Sequence, residues 1–121
     1  MDVTLLIRAS AWLLGAASVA GVFMAVLRFA RERPAPLVIA KLHGFLASAG
    51  LALLVYAWAT AGLPKLGSIA LALLAIAAAG GLVTSKTWRW KDGPSVEVLL
   101  FGHLSIAAMG LIALVASAVS G

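Results

Sequence analysis

Residues 42–64, LHGFLASAGLALLVYAWATAGLP, form 23 consecutive positions without a charge, bounded by Lys41 and Lys65. A helix needs about 20 apolar residues to cross roughly 30 Å of hydrocarbon, so this stretch is long enough to span a membrane. Three others match it: Ala9–Leu27 with 19 residues, Leu66–Ser85 with 20 and Val98–Gly121 with 24. Each is mostly Leu, Ala, Val and Ile with scattered Gly and Ser. The reading is four transmembrane helices over about 4–29, 36–62, 66–86 and 95–120.

The whole chain agrees with its parts. Of 121 residues, 64% are apolar and 11% charged, and the mean hydropathy is +1.12. These values exclude a soluble enzyme with a charged surface, a disordered tail and a nucleic-acid-binding domain. They leave room for a single membrane domain over residues 1–121 and for no extramembrane catalytic module. With no cysteine, disulfides, cysteine-ligated zinc, iron–sulfur clusters and thiol catalysis are excluded as well. The first stretch is not read as a signal peptide, because Asp2 precedes it, no basic segment does, and its apolar run is too long.

The net charge of +5 matters less than its placement. Arg28, Arg31, Arg33 and Lys41 flank the first connection and Lys86, Arg89 and Lys91 the third, so seven of nine cations lie on one side. The positive-inside rule assigns that side to the cytoplasm and both termini to the outside, as in a bacterial inner membrane. Trp88 and Trp90 on one side, with Tyr56, Trp58 and Trp12 towards the other, read as interfacial belts in contact with lipid. The connections are short: Arg28 to Pro36, Gly62 to Lys65 and Lys86 to Pro94. Consecutive helices are therefore antiparallel neighbours, and the expected fold is an all-α, up-down-up-down four-helix membrane bundle.

Sliding the chain against itself by 60 residues aligns its halves, 1–61 and 61–121, with 13 identities in 61 positions and no gap. Leu13, Leu14, Ala17 and Gly21 meet Leu73, Leu74, Ala77 and Gly81. His43, Ala47, Gly50, Leu51, Leu54 and Val55 meet His103, Ala107, Gly110, Leu111, Leu114 and Val115. Restricted membrane composition produces chance matches among Ala and Leu, but the chain's two histidines also fall in register. Two repeated hairpins of like orientation imply a pseudo-two-fold axis along the membrane normal.

Each histidine follows a proline, Pro34 or Pro94, by nine residues, so the two share one depth, roughly 13 Å along a helix from equivalent landmarks. His43, Ala47, Gly50 and Leu54 lie on one helical stripe, and His103, Ala107, Gly110 and Leu114 on its counterpart. Ionisable residues at membrane depth face the protein interior, so two at one level call for a shared explanation. Two histidines without a further ligand cannot complete a tetrahedral zinc site. A single haem needs only two axial imidazoles, and His43 and His103 on parallel, diagonal helices can supply them. Small residues on the other two helices, Ala17 with Gly21 and Ala77 with Gly81, would admit the macrocycle edge; small-residue helix packing explains them equally well. Arg28 could pair with a propionate and Trp88 could cover the ring edge, or both are interface anchors. Lys41 reads as a snorkelling lysine and Glu97 as an interfacial or helix-N-terminal acid.

This pattern resembles the membrane b-type cytochromes built on four-helix bundles, the cytochrome b and cytochrome b561 groups. In cytochrome b the second and fourth helices bear axial histidines while glycines on the first and third admit the haem. The resemblance assigns those roles to His43, His103, Gly21 and Gly81. It implies one bis-histidine haem b per chain, where those families usually hold two haems. The expected function is that of an electron carrier or haem-bearing anchor subunit, exchanging electrons with a quinone or a redox partner subunit in a larger complex or homo-oligomer. Two other classes stay open: a cofactor-free accessory or assembly subunit, and a small transporter. Against the transporter, the first helix has no embedded carboxylate of the kind small multidrug exporters use, and no helix reads as discontinuous.

Overall fold

A computed structural model describes residues 2–31, 35–87 and 96–120. The described chain is all α: α1 Val3–Arg31, α2 Leu37–Ala61, α3 Lys65–Thr87 and α4 Val96–Ser120. All four helices are long and apolar enough to cross a membrane, as read from the sequence. Leu and Ala are strong helix formers, and no proline interrupts any of the four segments. A helix also satisfies its backbone groups internally, which hydrocarbon demands.

Helix ends follow local chemistry. The backbone N–H of Thr4 donates to Asp2 Oδ1 at 3.3 Å, so the acid that argues against a signal peptide caps α1. Pro36 opens α2 without losing a needed donor, since the first turn leaves its N–H groups unpaired. Gly62 ends α2 at φ +75°, where its N–H donates to Trp58 O at 3.2 Å. This left-handed conformation favours glycine and closes the helix before Pro64. At the first and third connections the helices run further than expected. Arg28 lies inside the last turn of α1, and Lys86 inside that of α3. Cations there complement the negative end of the helix dipole.

The chain divides into two compact units, Met1–Gly62 and Leu63–Gly121, each a helical hairpin. In the first, Leu6, Ile7, Ser10, Leu14 and Ala17 of α1 are buried, as are Gly50, Leu54 and Ala57 of α2. In the second, Gly67, Ala70, Leu74, Ala77 and Thr84 of α3 are buried with Gly110, Leu114, Ser117 and Ala118 of α4. Within the second hairpin, close approaches pair Gly81 with His103, Leu74 with Gly110 and Gly67 with Ser117. One helix descends in steps of seven while the other ascends in steps of seven, so α3 and α4 are antiparallel. A seven-residue contact repeat is the period of left-handed helix packing. The first hairpin shows the same pairing at Gly21 with His43 and Leu14 with Gly50.

Between 11% and 22% of each hydrophobic window is buried inside the protein. Trp12, Val19, Phe45, Val98, Ile112 and Val119 are among the large apolar side chains left exposed. So much uncovered apolar surface requires lipid around it, and the chain is an integral membrane protein. Hydroxyls along the spans turn back on their own helices: Ser18 donates to Leu14 O, Thr60 to Tyr56 O, Thr84 to Gly80 O and Ser120 to Ala116 O, at 2.6–2.8 Å. Ser10 instead crosses to α2 and donates to Gly50 O at 2.7 Å.

Candidate histidine site

His43 stands in the second turn of α2 and His103 at the matching place on α4, both half-buried. Within its own hairpin each imidazole lies against the preceding helix. His43 Nδ1 is 2.7 Å from Ala17 O, and His103 Nδ1 is 2.7 Å from Ala77 O. Both bonds close over 26 residues of chain. A carbonyl oxygen can only accept, so Nδ1 carries the proton in each ring. In the neutral imidazole the lone pair then resides on Nε2.

Gly21 and Gly81 lie beside these rings. A Cβ at Gly21 would stand 3.0 Å from His43 Cε1 and 3.3 Å from its Nδ1. At Gly81 the corresponding distances to His103 are 2.9 and 3.2 Å. The sequence reading gives these glycines to a porphyrin edge; in the structure the imidazole itself occupies the space that each opens.

Gly50 and Gly110 have a different neighbour. A Cβ there would meet Leu14 Cγ at 2.7 Å or Leu74 Cγ at 2.8 Å, so each glycine receives a leucine of its own hairpin. The stripe His43–Ala47–Gly50–Leu54 thus runs along the α1–α2 contact, with Gly50 and Leu54 buried and Ala47 half-buried. On the counterpart stripe Gly110 and Leu114 are buried and Ala107 is half-buried.

Ala17 and Ala77, expected as small residues that make space, are buried at 2% and 3% exposure, and their carbonyls are the histidines' acceptors. Backbone oxygens leave no mark in a sequence. The available signal is the equal 26-residue separation from alanine to histidine in both halves. Arg28 is half-buried at the end of α1. Trp88 lies outside the described residues.

Among the described residues no group of three or more His, Cys, Asp or Glu could hold a metal ion. What each hairpin offers is one imidazole whose Nδ1 lies on a backbone acceptor of the preceding helix. A histidine that ligates a metal commonly has its other ring N–H on a carbonyl, because that bond fixes ring orientation and raises ligand basicity. Comparison with protein-family models, curated proteins and solved structures finds no match.

Proposed function

We propose that the protein is a small integral-membrane haem b protein, an electron carrier or haem-bearing anchor subunit, with His43 and His103 as axial ligands. The observation that supports this reading is the matched pair of Nδ1–carbonyl bonds at 2.7 Å. In a neutral ring such a bond leaves the lone pair on Nε2, the donor a metal requires. The donor set fits the group: neutral imidazoles, half-buried in apolar helices, suit a low-charge axial position better than they suit a zinc site that needs more ligands.

A bound haem supplies one-electron redox chemistry. The chain's own part is to hold each ring in one tautomer and keep the surroundings apolar. With His43 and His103 both holding it, such a group would serve electron transfer rather than oxygen binding. The exchange partner is then a quinone or a neighbouring redox subunit. In this reading the excess of basic residues around the first and third connections puts the histidines in the cytoplasmic half of a bacterial inner membrane, with both termini outside.

The same bonds also favour a second reading, in which each histidine staples its hairpin in a cofactor-free accessory subunit. Spectroscopy on protein purified from haem-replete membranes separates the two. The haem reading expects a Soret band, sharp reduced α and β bands, and loss of the low-spin bis-histidine spectrum in both His43→Ala and His103→Ala. A colourless protein under those conditions rejects it in favour of the staple.

A further inference from the structure

In an α-helix each Cα–Cβ bond tilts toward the N-terminus, so a side chain covers the turn that precedes it. The residue that would cover the Ala17 carbonyl from outside is therefore one turn further on, at Gly21, and for Ala77 it is Gly81. Having no side chain, both glycines leave an outward-facing carbonyl open to a second donor. The histidine ring enters that opening in each hairpin, with the closest virtual contacts at Cε1 and Nδ1, 2.9–3.3 Å away. The opening is thus fitted to the edge of the ring that makes the hydrogen bond.

We infer that Gly21 and Gly81 are positioning residues: each forms, with the alanine carbonyl four residues before it, an imidazole socket that fixes its histidine as the Nδ1–H tautomer. Each socket is complete within one hairpin. Other helical glycines differ visibly. Gly15, Gly44, Gly80 and Gly102 have nothing within 4 Å of a virtual Cβ, while Gly50 and Gly110 meet leucine carbons. Among the described glycines only Gly21 and Gly81 face a titratable ring. A methyl at Gly21 asks the ring to give by a few tenths of an ångström and one at Gly81 by slightly more, and the displaced atoms are the ones adjoining or forming the bond to the carbonyl.

The inference concerns the protein without any cofactor, so its test is independent of haem. Imidazole 15N spectra of the cofactor-free, detergent-solubilised chain distinguish a protonated Nδ1 from a protonated Nε2. The chain's two histidines are assigned with His43→Ala. The expected result is Nδ1–H in both rings. Gly21→Ala should shift the His43 nitrogens towards a tautomer mixture and leave those of His103 in place; Gly81→Ala should do the reverse. Gly15→Ala and Gly80→Ala should move neither. Nε2–H in either wild-type ring, or a Gly21→Ala variant with unmoved His43 nitrogens, overturns the inference. If one socket variant does not fold, the other, read against Gly15→Ala and Gly80→Ala, decides. A colourless protein with both rings as Nδ1–H would remove the haem proposal and leave the sockets standing.

Discussion

Alanine at Gly50 tests the packing of the first hairpin directly. The new methyl carbon would lie 2.7 Å from Leu14 Cγ and 3.2 Å from Leu13 Cβ. Neither atom is the free end of a flexible chain, so relief requires a new Leu14 rotamer or a wider gap between α1 and α2. Overpacking of this kind costs about 1–3 kcal/mol. Widening the gap also stretches the Ser10–Gly50 O bond of 2.7 Å, where interhelical bonds in membranes average about 0.6 kcal/mol. Alanine's better helix propensity returns about 1 kcal/mol.

The balance is a loss of about 1.5 kcal/mol, roughly tenfold in the unfolding constant. Gly110→Ala meets Leu74 Cγ at 2.8 Å but has Ala70 where the first hairpin has Ser10, so its loss should be nearer 1 kcal/mol. Reversible SDS unfolding in mixed micelles, followed by tryptophan fluorescence, measures both against the open-space controls Gly44→Ala and Gly102→Ala. The controls should be neutral or slightly stabilising. Gly50→Ala and Gly110→Ala variants as stable as those controls would refute the packing argument.

Ser10→Ala should destabilise the protein by about 0.6 kcal/mol in the same assay, and Ala70→Ser should stabilise it by a similar amount by giving α3 the hydroxyl that α1 uses. Gly62→Ala forces a side chain into φ +75°, and a loss of about 1–2 kcal/mol is expected, without change in any histidine signal. In haem-loaded protein, His43→Gly should lose the bis-histidine spectrum and regain it with millimolar imidazole, whose N–H can take the vacated Ala17 carbonyl; no recovery in a folded variant would count against His43 as ligand.

The helix boundaries were legible to within about two residues, because charge, proline and the left-handed glycine at Gly62 mark where apolar segments stop. The stripe of His43, Gly50 and Leu54 was legible too, from helical periodicity alone. Its neighbours were not. Gly21 read as room for a ring edge and Gly50 as part of the histidine stripe, whereas in the structure an imidazole fills the first notch and Leu14 the second. That choice depends on how far each helix is rotated about its axis and on the axial offset between α1 and α2. Many rotations and offsets bury the same set of small residues, so composition cannot select among them. The Ala17 carbonyl was out of reach for a simpler reason: every residue has one, and only packing shows which is uncovered.

Taken alone, the order of amino acids determined that this chain carries four helices long and apolar enough to cross a membrane, and that its two histidines stand at matching positions of two like hairpins. Those properties follow from transfer free energy and the rise of a helix, both set locally. Tertiary structure decided what the histidines touch and which ring nitrogen holds the proton. Contacts of that kind depend on a few ångströms of offset between two helices, a quantity that exists only once the hairpin has closed.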